Sequence, residues 1–229
     1  MIELPVNIKE IENQVEKALS GLELKDELDK ALVIYQDAEL KLEELGISAD
    51  SPDYAEQQRV LAYCLMRQGN LLRQMEKPQE ALALGEREIL AARASGDEIT
   101  LARSLMSNGT NLIVTGGVER GLILLDEARE LFEKGDSNDH RQGLGWYWIL
   151  QADLAIAGLV EREPEEVIEM ADHALASLKP IENWPGVARS YAARAKAHER
   201  QGNKEAALKD LQKQMKYESK IDPHDEGNG

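Results

Sequence analysis

The chain has 229 residues and a formal net charge of −16, with 42% hydrophobic residues, 4% aromatic residues and one cysteine. That apolar fraction supports one large domain or two small ones, with a core built from Leu and Ala because bulky rings are scarce. The acidity argues against phosphate backbones and anionic lipid as partners, and the lone Cys64 excludes an intrachain disulfide framework.

No apolar run reaches the ~20 residues that a bilayer span needs. The N-terminal stretch MIELPVNIKEIENQ has neither a basic n-region nor an apolar h-region. A cytoplasmic protein in a reducing compartment is expected, with Cys64 acting as a small buried hydrophobe.

Clusters of Gly, Pro, Asn and Asp divide the chain: SGLEL (20–24), GISADSPD (46–53), EKPQ (76–79), ASGDE (94–98), TGGVE (115–119), KGDSND (134–139), REPEE (162–166), KPIENWPG (179–186) and QGNKE (201–205). Between them, apolar residues recur at spacings of three and four, and no segment alternates with the period of a strand. The chain is predicted to be all-α.

In chain order, residues 7–19 and a helix around Ala31 form an acidic N-terminal hairpin within residues 1–50. Residues 51–219 hold four further pairs: 56–76 with 79–95, 98–115 with 118–134, 141–160 with 164–178, and 186–201 with 204–219. Residues 220–229, KIDPHDEGNG, read as a disordered tail that offers no capping helix, so the last pair exposes apolar surface to another copy of the chain. Trp184-Pro185 opens a helix, with the ring folded back on the core. Trp146 and Trp148 are two residues apart, about 200° around a helix, and cannot share one buried face. Either the rings pack in the core beside a long 134–145 connection, or Trp146 sits outside the helix as a staple, or one ring meets another element or a ligand.

Small residues recur at a fixed interval. Gly69 and Ala81 are matched 40 residues later by Gly109 and Gly121, and Ala155 and Val167 are matched 40 residues later by Ala195 and Ala207. A glycine inside a helix costs roughly 1 kcal/mol relative to Ala, so the pattern answers a contact requirement. Where two helices cross closely, a large side chain would hold the backbones apart. Five helix pairs with a period near forty make a repeat array.

The pattern resembles the tetratricopeptide repeat (TPR) family. The last repeat carries Tyr191, Ala195, His198, Gly202, Ala207 and Leu208 at the family's offsets. An earlier one carries Leu105, Asn108-Gly109, Leu112, Gly116, Leu125 and Ala128, and another carries Gly69, Leu72, Ala81 and Leu82. Gly121 and Val167 depart from the expected Ala, and Gly158 stands where a large residue is usual. The resemblance implies a right-handed superhelical array of about five TPR-like antiparallel helix pairs, an α-solenoid, whose first helices line a concave groove. It also implies a non-catalytic scaffold that binds a protein or peptide, with no cofactor.

Charge follows the same division. The four first helices after residue 55 hold nine basic and five acidic residues, whereas their second helices hold nine and fifteen. Residues 1–55 hold five and fourteen. Tyr63, Arg67 and Asn70 share one helix face, which the resemblance turns inward. The expected groove comprises Tyr63, Arg67, Asn70, Arg73, Arg103, Thr110, Ile149, Ile156, Arg189, Lys196 and Arg200, a mildly apolar centre with basic ends. It suits a peptide carrying acidic groups, because arginine forks orient carboxylates. Reversing charge at Arg67 and Arg103 is then expected to abolish binding without lowering stability. The acidic N-terminal segment is also placed to fold over this groove as a lid.

The chaperone-tail clamp of the family does not fit, since its positions fall on Met66, Asn70, Ser107, Ile149 and Asp153. A second reading is a sensor or regulatory module in which a small ligand or peptide shifts the array; a third is self-assembly. His140, His173, His198 and His224 are scattered, and no metal motif, phosphate loop or nucleophile–base set is present, which disfavours catalysis.

Overall fold

The computed structural model describes residues 7–221, apart from the side chain of Leu24, and every regular element among them is helical. Residues 1–6 of the expected hairpin and residues 222–229 of the expected tail lie outside the described residues. α1 (Ile8–Gly21) leads through a 3-10 turn (Glu23–Lys25) to α2 (Leu28–Glu44). There follow α3 (Tyr54–Gln74), α4 (Pro78–Ser95), α5 (Glu98–Val114), α6 (Val118–Glu133), α7 (Asn138–Ile156), α8 (Pro164–Leu178), α9 (Trp184–Arg200) and α10 (Lys204–Glu218). The chain forms two compact units, Met1–Ala128 and Arg129–Gly229. Among the described residues no helix is long and apolar enough to cross a membrane.

Local sequence sets the helix ends. Asn7 and Glu10 make a capping box on α1, and Asp97, Ser137, Asn183 and Asn203 accept backbone N–H bonds at the starts of α5, α7, α9 and α10. Pro78, Pro164 and Pro185 occupy first-turn positions, where a missing N–H costs nothing. Turn glycines Gly116 and Gly202 adopt φ of 96° and 76°; at the matching position of the repeat before Gly116, Glu76 adopts φ of 60° with a side chain attached.

In the first unit, Ile11, Val15, Ala18, Ala31, Tyr35, Ala38, Leu42, Val60, Cys64 and Leu71 form one core. α1 and α2 therefore stack on α3 as the first pair of the array. At the α5–α6 crossing, a methyl group on Gly109 would lie 2.8 Å from the carbonyl of Gly121, and one on Gly121 would lie 2.6 Å from the carbonyl of Gly109. Backbone meets backbone there, which is why position 121 departs from alanine. Gly69 is looser, its would-be methyl 4.0 Å from the carbonyl of Ala81.

In the second unit, one core joins Ile149, Ala174, Leu175, Leu178, Val187 and Tyr191, and another joins Ala152, Ala155, Val167, Met170, Ala193 and Ala197. α7 starts at Asn138, earlier than the sequence suggests, and the expected long connection shrinks accordingly. Gly143 and Gly145, where the expected connection and the expected helix overlap, lie inside the helix. A methyl on Gly143 would come within 2.1 Å of the Phe132 ring, and one on Gly145 within 2.3 Å of Leu178. Both Trp146 and Trp148 lie within α7 and are half-buried. Arg189 of α9 lies 6.0 Å from the Trp146 ring, whereas Trp148 stacks on His173 of α8 at 4.8 Å. Both rings pack against the core that holds Leu178 and Val187, and neither is a staple.

Candidate functional site

The first unit brings together six of the expected groove residues on α3 and its neighbour α5. Tyr63, Arg67, Asn70 and Arg73 are half-buried on α3, as is Arg103 on α5; Thr110 is buried. Burial raises the Tyr63 phenol above its ordinary value. The Thr110 hydroxyl donates to the Met106 carbonyl at 2.8 Å, so its polar atom is committed to its own helix.

The arginines differ in what they face. Arg67 is paired with Glu23 from the 3-10 turn, donating through Nε at 3.2 Å and also through Nη2. Tyr35 donates its hydroxyl to the same carboxylate at 2.8 Å. The groove position read from sequence as a receptor for an acidic partner thus already holds an internal carboxylate.

Arg73 is held otherwise. It donates to the Asn111 side-chain oxygen at 2.6 Å and the Asn70 side-chain oxygen at 2.7 Å, and it makes no ion pair among the described residues. Burial lowers its affinity for the proton, nearby Arg67 adds to that effect, and Glu88 opposes it. Its planar group offers five N–H donors, and two neutral oxygens fix its orientation without supplying a countercharge.

Behind this face lies a polar interior. Ser104, Ser107, Asn108, Thr110 and Asn111 of α5 are all buried, as is Glu88 of α4. Asn108 donates to Glu88 at 2.9 Å and Ser107 at 3.4 Å, while the other Glu88 oxygen has no hydrogen-bond partner among the described residues. Burial pushes the Glu88 carboxyl up to about 8. Gly85 makes room for Asn108, whose oxygen would lie 1.8 Å from any methyl there. Neither Asn111 nor Glu88 is legible in the sequence as part of this polar cluster. The available signal was SLMSNGTN in α5, where polar residues run around the whole helix and interrupt its apolar face.

The second unit holds the other five expected residues. Ile149 is buried in the core and Ile156 half-buried, so Ile149 offers no groove surface. Arg189 is exposed and paired with Asp153 at 2.7 Å. Arg200 donates to the Ile156 carbonyl at 2.6 Å and so closes the C-terminal end of α7. Lys196 is exposed and makes no ion pair among the described residues. The remaining charge cluster, Arg194 with Asp210 at 2.7 and 2.8 Å and with Asp172, ties α9 to α10 and α8.

No protein-family model matches the chain, and no curated protein matches it. Solved structures do. BtubC (BKLC) from P. vanneervenii superposes with a TM-score of 0.63 at 15% identity, over 96% of this chain and 85% of that one. The nearly identical TPR-like repeats of a Podosopora anserina protein of the kinesin light chain type superpose with a TM-score of 0.58 at 14% identity, over 94% of this chain and 98% of that one. A singly substituted form of the same repeats gives 0.57 at 17% identity, over 93% and 97%. At such identities the likeness is one of fold, and it extends over nearly the whole chain. The chain has the fold of the tetratricopeptide-like repeat proteins.

Proposed function

We propose that this chain is a non-catalytic scaffold that holds a protein or peptide segment bearing a carboxylate, with the α3–α5 face of the first unit as its receptor. The observation that carries the reading is Arg73, a half-buried arginine oriented by two amide oxygens and making no ion pair among the described residues. A partner's Asp, Glu or C-terminal carboxylate would complete its coordination, with Asn70, Tyr63 and Arg103 beside it. In the second unit, Arg189 and Arg200 of α9 are engaged by Asp153 and the Ile156 carbonyl of α7. The single thiol, fully buried, suits a reducing compartment such as the cytoplasm.

The test is fluorescence anisotropy with a library of labelled Asp- and Glu-containing peptides, against the wild-type chain and Arg73→Gln. Saturable binding that weakens with salt and drops at least about tenfold in Arg73→Gln is expected. Binding that Arg73→Gln leaves unchanged refutes the assignment.

A further inference from the structure

α10 carries an apolar seam that the described residues leave largely exposed. Leu208, Leu211 and Met215 are 58%, 37% and 65% exposed. The matching positions of α8, 40 residues earlier, are Ile168, Ala171 and Leu175; Ala171 and Leu175 are 1% and 5% exposed because α9 packs on that helix. The surface that the preceding repeat hides is thus retained in α10 and left open.

The ends of the seam say what fits it. Lys204, Leu208, Leu211, Met215 and Glu218 are spaced four, three, four and three, the spacing of a two-helix seam. In α8 the corresponding end positions are Pro164 and Leu178; in α10 they are a cation and an anion. Lys204 and Glu218 are both exposed, and neither is ion-paired among the described residues; Glu218 accepts only from Gln214, at 2.8 Å. They lie seven residues on either side of Leu211. If two such helices pack antiparallel about Leu211, each Lys204 faces the other copy's Glu218, twice over, while Leu208 interleaves with Met215. Parallel packing would instead set lysine on lysine and glutamate on glutamate. The surface is therefore complementary to itself under a two-fold rotation.

We propose that α10 is the dimer interface of this protein: the seam Leu208–Leu211–Met215 packs antiparallel on its own copy in a second chain, with Lys204 and Glu218 fixing register and direction. The contact closes on itself and stops at two chains.

The test is sedimentation equilibrium of the full chain over a wide concentration range, with four variants. Wild type is expected to show a reversible monomer–dimer equilibrium. Leu211→Glu is expected to raise the dissociation constant at least about a hundredfold, because it places a charge on each side of the axis. Lys204→Glu and Glu218→Lys set like charges opposite each other, and each is expected to weaken the dimer about tenfold. The double variant restores opposite charges and is expected to return to within about threefold of wild type. Circular dichroism checks that each variant stays helical; the two charge variants alter exposed side chains and keep the test decisive if Leu211→Glu unfolds. A wild-type chain that stays monomeric at every concentration means that another occupant covers the seam and overturns the proposal. So does a dimer indifferent to Leu211→Glu, or single reversals that the double fails to rescue.

Discussion

Glu23, on the turn that leaves α1, accepts both arms of the Arg67 guanidinium from α3, 44 residues away in sequence. The Tyr35 hydroxyl donates to the same carboxylate at 2.8 Å, and only 7% of the Glu23 side chain is exposed. This pair changes what Arg67 does. Read from sequence, it is a groove residue whose reversal spares stability; in the structure it pins the first helix pair to the second.

Arg67→Glu is accordingly expected to destabilise the first unit by about 3 kcal/mol, because it leaves two enclosed carboxylates facing each other. Urea unfolding followed by circular dichroism measures it. A variant as stable as wild type would show that the pair contributes nothing.

Glu88 gives the first unit a pH dependence of unusual sign. Its carboxyl holds a proton to about 8 in the folded chain, against an ordinary value of 4.5, so the folded state binds more protons between those limits. Stability therefore falls as pH rises through that window, by up to about 1.4 kcal/mol per pH unit. Glu88→Gln keeps a neutral, hydrogen-bonding group of the same shape and is expected to abolish the slope. Urea midpoints at about pH 5.5 and about pH 8.5 decide the matter; equal slopes in both proteins count against it.

Asp210 works the other way in the second unit. Burial alone would raise its carboxyl, but hydrogen bonds from Arg194 and Lys213 outweigh burial and hold it below the ordinary 3.8. Its contribution is fully present above that value and is lost as pH falls through the depressed one. Asp210→Asn leaves Arg194 with Asp172 alone and is expected to cost about 2–3 kcal/mol at neutral pH, with a shallower acid transition. Thermal melts across the acid range measure both.

Gly143→Ala is expected to destabilise by about 1–3 kcal/mol, since the added methyl would meet the Phe132 ring at 2.1 Å. Restoration by the second change Phe132→Leu, read as a rise in melting temperature, would tie the loss to that contact. Loss of equal size in both backgrounds would point elsewhere.

Cys64 is buried, and burial first of all pushes its thiol up to about 12. It is expected to resist thiol-specific reagents in the native chain and to react fully in denaturant. Rapid labelling under native conditions would contradict the packing of α3.

The helices and their pairing were legible because periodicity, caps and small-residue intervals all report short-range constraints. Gly109 and Gly121 announced a close crossing by their spacing alone. Gly143 and Gly145 are ambiguous in sequence, since a glycine that admits a neighbouring Phe132 or Leu178 is spelled like one that makes a turn. The groove was less legible still. The basic character of Arg67 and Arg189 is plain in the sequence, but their neutralisation by Glu23 and Asp153 depends on contacts 44 and 36 residues apart. Buried polar residues of α5 broke the apolar pattern without saying which atoms they would face.

Arg73 carries a final implication. Its half-buried cation is oriented by two amide oxygens and makes no ion pair among the described residues, so on the proposed function a bound carboxylate would stabilise the first unit. Capture of that anion should therefore tighten the surrounding helices, slowing amide exchange along α3 and α5 and lifting the melting point of the complex above that of the free chain.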